Sequence, residues 1–123
     1  MRKIGILTGG GDCPGLNAVI RGVVEKCAAA DIEVYGFYDG WRGALTGEGR
    51  FLTLKEVEGI QTLGGTIIGS SRTNIMKVEN GAEKVIAQLN AIGLEGLVAI
   101  GGDDTLGVAN QLRKLGINVI GVP

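Results

Sequence analysis

Short apolar runs that end in glycine alternate along this chain with segments whose apolar residues fall at helical spacing. Lys3 to Thr8 is an apolar run closed by Gly9-Gly10-Gly11, as a buried strand would be. From Leu16 the apolar positions are 16, 19, 20, 23, 24 and 27, the stripe of an amphipathic helix with one face on a core. Glu33 to Tyr38 reads as a second strand. Residues 41–65 are less regular, with a turn at Gly47-Glu48-Gly49 and a short helix near Lys55 to Gln61. The alternation then resumes: helix over 82–92 stopped by Gly93, strand over 94–100, helix over 105–115 stopped by Gly116, strand over 119–122. Strands that take turns with helices in this way build a parallel sheet covered by helices. The expected fold is therefore α/β, a Rossmann-like three-layer sandwich with a mostly parallel sheet, formed by residues 1–123 as one unit. No internal repeat or linker interrupts it.

Glycine supplies 23 of the 123 residues, against about 7% in an average protein. Many gather in three places: Gly9-Gly10-Gly11 with Gly15, Gly64-Gly65 with Gly69, and Gly101-Gly102. The first and third follow expected strands and precede expected helices. In an open parallel sheet such loops share one edge, where ligands bind. Glycine there lets backbone N–H groups approach phosphate oxygens with no Cβ in the way, and a helix N-terminus adds the positive end of its dipole. Tight turns alone would explain any one cluster. The dinucleotide fingerprint fails because Pro14 stands where its last glycine belongs. The Walker pattern fails because Gly15 is followed by Leu16-Asn17.

Positive charge for a phosphate must then come from elsewhere. Arg72, in Gly69-Ser70-Ser71-Arg72-Thr73-Asn74, is the best source, since a guanidinium grips phosphate through two parallel bonds. Asp103 and Asp104 could cap a helix. Beside a phosphate, bare carboxylates would repel it unless Mg²⁺ bridged the two. Asp12 could join that polar cluster or cap the first helix.

Composition removes other classes. The formal net charge of -1 gives no basic field for nucleic acid or an anionic membrane. The longest uncharged stretch, 59–71, is too short and too glycine-rich for a membrane span, and the N-terminus lacks a signal-peptide pattern. With no histidine there is no Ser-His-Asp triad and no His-ligated metal. Cys13 and Cys27 form no CxxC pair, which fits a reducing, cytoplasmic setting.

Three blocks carry a resemblance: Gly10-Gly11-Asp12-Cys13-Pro14-Gly15-Leu16-Asn17-Ala18, Gly64-Gly65-Thr66-Ile67-Ile68-Gly69-Ser70-Ser71-Arg72-Thr73-Asn74 and Ile100-Gly101-Gly102-Asp103-Asp104-Thr105. In order and spacing they resemble the phosphofructokinases, and the resemblance covers all 123 residues. The NAD and diacylglycerol kinases share a loop like the third block but not the first two. The resemblance implies Mg²⁺-dependent phosphorylation of fructose 6-phosphate at its 1-hydroxyl, with ATP or pyrophosphate as donor. It implies that Gly11 is the phosphate-loop glycine and that Arg72 contacts the transferred phosphoryl group, with Thr73 beside it. Gly102, Asp103, Asp104 and Thr105 would form the donor loop, with Asp103 the Mg²⁺-linked carboxylate.

Position 104 bears on the donor. ATP-dependent members typically have Gly there, and this chain resembles the pyrophosphate-dependent type in having Asp. A carboxylate fills space and opposes charge where the α-phosphate of ATP would lie. Arg21 matches an effector-binding arginine of regulated members, but Glu25 stands where another is common and would repel a phosphorylated effector. Family members are more than twice as long. After Gly-Val-Pro they carry a Thr-Ile-Asp-Asn-Asp block that holds the catalytic base, followed by the sugar-phosphate-binding half. The expectation is thus a donor-binding segment of a longer, commonly homo-oligomeric enzyme, inactive alone. The alternative is a non-catalytic α/β scaffold or phosphate-binding module.

Overall fold

The computed structural model describes residues 2–10 and 15–123. Five strands form one sheet in the order β3-β2-β1-β4-β5. They are β1 (Arg2–Thr8), β2 (Ile32–Phe37), β3 (Gly49–Leu52), β4 (Leu97–Ile100) and β5 (Val119–Val122). All neighbouring pairs are parallel except β2 with β3. The helices are α1 (Leu16–Ala29), α2 (Trp41–Thr46), α3 (Leu54–Val57), α4 (Gly81–Ile92) and α5 (Asp103–Lys114), with single 3-10 turns at Ile60–Thr62 and Ile75–Lys77. The expected α/β class with a mostly parallel sheet is what the chain adopts.

Successive side chains of a strand point to opposite faces, and a strand in the middle of a covered sheet buries both. Ile6 and Leu7 of β1 are both fully buried, yet they belong to different cores. Ile6 packs with Leu16, Ile20 and Val24 of α1, with Val57 of α3, and with Val98 and Ile100 of β4. Leu7 packs with Trp41 of α2, Val85 and Leu89 of α4, Val108 and Leu112 of α5, and Leu97 and Ala99 of β4. Helices therefore cover both faces, which makes the three layers.

Most elements start and stop within three residues of their sequence expectation. The exceptions lie in 41–65, where α2 and β3 form without having been expected. Gly43 sits inside α2, where glycine weakens a helix. The packing explains it: a Cβ there would lie 2.8 Å from the Tyr38 N and 2.9 Å from the Glu48 carbonyl oxygen. β3 begins at Gly49, at the end of the expected turn, and returns antiparallel with Phe37 opposite Gly49 and Val34 opposite Leu52.

From β1 the chain builds outward through β2 to β3, then crosses to β4 on the other side of β1. The loop after β1 leads to α1 on one face, and the loop after β4 leads to α5 on the other. A crevice at the carboxyl ends of β1 and β4 follows from that reversal.

Candidate functional site

A cavity of about 570 Å³ lies at this strand edge. Gly9 and Gly10, after β1, and Gly102, after β4, line it. A Cβ on Gly10 or Gly102 would meet only open space, so neither glycine is there to avoid a clash with the fold, and both leave the cavity clear of a side chain. Gly102 is also the N-cap of α5, and among the described residues no side chain caps that helix. The free N–H groups of its first turn therefore remain available to an anion.

Asp103 and Asp104 occupy the first turn of α5 rather than the cap position. Both are exposed and line the cavity. Carboxylates there are favoured by the helix dipole whether or not a ligand is present. Thr105 is buried and lines the same cavity, packed against Gly9 and Gly101.

Another part of the lining comes from the segment after Ile68. Arg72 and Thr73 line the cavity, with Arg72 exposed. Ile75 next to them is fully buried and anchors the segment in the core. Asn74 caps the following 3-10 turn: its side-chain oxygen accepts the Met76 N–H at 2.9 Å. That turn brings Lys77 onto the same cavity, a second cation that the motif reading did not single out. Its signal in the sequence was Asn74 as a turn-starting cap.

Trp41 and Val108 add an apolar wall. Trp41 is the single tryptophan of the chain, and its Nε1 is buried without a hydrogen-bond partner among the described residues.

The structure thus brings Arg72, Thr73, Gly102, Asp103, Asp104 and Thr105 around one cavity. Gly11 and Asp12 lie outside the described residues. The middle glycine cluster behaves differently from the other two. Gly64, Gly65 and Gly69 do not line the cavity; it is the Ser71–Asn74 stretch following them that does. Gly69 instead takes φ +77° in a turn against Asp39. Arg21 is away from the cavity on α1, where its Nε pairs with Glu25 at 2.5 Å and its Nη1 donates to Gln61.

An open α/β sheet with a glycine-lined, cation-bearing cavity at its switch point defines the class: a doubly wound α/β fold. The comparisons with known proteins name the family. A phosphofructokinase family model matches residues 3–123, and the chain belongs to that family. It is 59% identical to the pyrophosphate–fructose 6-phosphate 1-phosphotransferase of Amycolatopsis methanolica, over 98% of this chain and 36% of that protein. It is 45% identical to the ATP-dependent 6-phosphofructokinase of Halalkalibacterium halodurans, over 100% of this chain and 39% of that protein. The Pichia pastoris phosphofructokinase crystal structure, in its T-state, superposes with a TM-score of 0.89 at 34% identity, covering 97% of this chain and 13% of that one. The chain therefore spans little more than a third of the length of the curated relatives it matches.

Proposed function

We propose that this chain is the phosphoryl-donor-binding segment of a 6-phosphofructokinase that converts fructose 6-phosphate to fructose 1,6-bisphosphate in glycolysis, with pyrophosphate rather than ATP as donor. One observation carries the reading: Arg72, Thr73 and the 102–105 loop, far apart in sequence, meet around one cavity. Phosphoryl transfer asks the protein mainly for positioning and charge stabilisation. Arg72 would grip the transferred phosphoryl group, while the N–H groups at the start of α5, beside Gly102, would receive phosphate oxygens.

The residues also fit Mg²⁺. Two cations, Arg72 and Lys77, share the cavity with two carboxylates, Asp103 and Asp104. Their charges cancel, so a polyanion gains little unless it arrives with a divalent ion. Among the described residues no group of three or more ligating side chains could hold a metal alone. Mg²⁺ is commonly held by one or two carboxylates together with substrate phosphates. Asp103 would hold it here, and the ion would neutralise charge on the donor. Asp104 would oppose the extra phosphate of ATP. The higher identity to the pyrophosphate-dependent relative supports that preference.

Fructose 6-phosphate binding, turnover and any homo-oligomer belong in this reading to a longer protein. A cytoplasmic setting goes with it. No helix among the described residues is long and apolar enough to cross a membrane. The test is a paired assay on the purified chain. Pyrophosphate with Mg²⁺ should displace a bound phosphate probe better than ATP with Mg²⁺, and neither should yield fructose 1,6-bisphosphate. Turnover by the chain, or a preference for ATP, would contradict the proposal.

A further inference from the structure

Ser71 bonds to three segments at the cavity: the end of β1 at Gly10, the turn at Asp39 before α2, and its own stretch at Thr73. Its Oγ donates to the Asp39 carbonyl at 2.6 Å, and the same Oγ accepts the Thr73 N–H at 3.4 Å. Its own carbonyl accepts the Gly10 N–H at 3.1 Å. The Asp39 N–H in turn donates to the Ile68 carbonyl at 2.9 Å. Asp39 has φ +57° and is followed by Gly40 at φ +63°, the turn that starts α2 at Trp41. A single hydroxyl therefore connects the strand end that presents Trp41 with the segment that presents Arg72 and Thr73.

An exposed arginine retains much rotamer freedom, and gripping a phosphate costs that freedom. Fixing the backbone on either side of it reduces the part still to be lost. Arg72 lies between Ser71 and Thr73, and the Thr73 N–H to Ser71 Oγ contact closes a turn around it. Gly10, held by the Ser71 carbonyl, faces the same cavity. We propose that Ser71 is a positioning residue of the donor site: its hydroxyl sets the turn that aims Arg72 and Thr73 at a bound polyphosphate and couples them to the Trp41 wall. The proposal rests on the donor-binding reading above.

The test uses the 123-residue chain, with pyrophosphate and Mg²⁺ as the probe and Trp41 fluorescence as the reporter. Ser71→Ala should weaken binding about tenfold, the size of one lost hydrogen bond in an aligned site. Ser71→Thr keeps the hydroxyl and should restore binding to within about twofold. In an Arg72→Ala chain the same Ser71→Ala change should matter less than about twofold, because the group it aims is gone. Equal weakening in both backgrounds, or no rescue by threonine, would overturn the positioning role. Amide exchange at Thr73, read without ligand, separates this inference from the donor reading. Exchange should accelerate in Ser71→Ala and return to the wild-type rate in Ser71→Thr. If it does not change, the tie is absent whatever the chain binds. If it changes but the wild-type chain binds no pyrophosphate, the donor reading fails, and the site-positioning role fails with it.

Discussion

Thr105 fills the space that a side chain at Gly9 would need. A Cβ on Gly9 would lie 3.1 Å from the Thr105 Cγ2, 3.2 Å from its Cβ and closer still to its Oγ1. The end of β1 and the first turn of α5 are thereby locked together under the cavity.

Gly9→Ala should therefore destabilise the fold by ~1–3 kcal/mol, the usual cost of forcing atoms into a filled site. Thr105→Ala removes two of the three colliding atoms, so the double variant should recover part of the loss. Thermal melts of the two single variants and the double variant measure that coupling. Strict additivity would mean that the two residues do not compete for space.

Lys77 shares the cavity with Arg72, so Lys77→Ala should weaken binding of pyrophosphate with Mg²⁺ by roughly three- to tenfold. Because Lys77 is exposed, the difference from wild type should shrink at high salt. Titrations at two ionic strengths check both statements. Unchanged affinity at low salt would remove Lys77 from the site.

The β1, β2, α1, α4, β4 and α5 elements could be read from apolar spacing because each buries a face or stripe, and β5 from its apolar run although only Val119 of it is buried. Ile6 and Leu7 show it within two residues, one for each core. α2 and β3 could not be read in this way. Gly43 and Gly49 look like turn residues, and only the tertiary packing against Tyr38 and the pairing with Phe37 explain them. Of the site, Arg72 and the 102–105 loop were legible from residue type and motif. Lys77 and Trp41 were not, because their approach to the cavity depends on the 3-10 turn at Ile75–Lys77 and on α2. The middle glycine cluster works differently from the other two. Its glycines shape a turn, and the segment after them faces the cavity.

Asp104 projects from the first turn of α5 into the region where the donor would lie. Asp104→Gly should raise the affinity of the chain for ATP with Mg²⁺ and leave pyrophosphate affinity less changed, since it removes a charge that opposes the longer polyphosphate. Competition titrations with the two donors read this directly. No gain in ATP binding would exclude position 104 as a donor determinant.

Cys27 packs against the α1 side of the sheet, and burial raises its thiol pKa above the ordinary value. A raised value means that the folded chain holds the thiol proton more tightly than the unfolded chain. The stability this contributes is present below the ordinary thiol pKa and is lost as pH rises through the folded value. At mildly alkaline pH, iodoacetamide should therefore modify Cys27 more slowly in the folded chain than in urea, as followed by peptide mass mapping. Equal rates would contradict the shift.

In the proposed function the cavity holds a polyphosphate through Arg72 and a Mg²⁺ ion shared with Asp103. Calorimetric titration of the purified chain with pyrophosphate, with and without Mg²⁺, tests it most directly. The expected result is binding that requires Mg²⁺ and that is markedly weakened, though still measurable, in both Arg72→Ala and Asp103→Ala. Binding that is absent, or that is indifferent to Mg²⁺ and to the Asp103 carboxylate, would contradict it and leave the α/β unit as a scaffold.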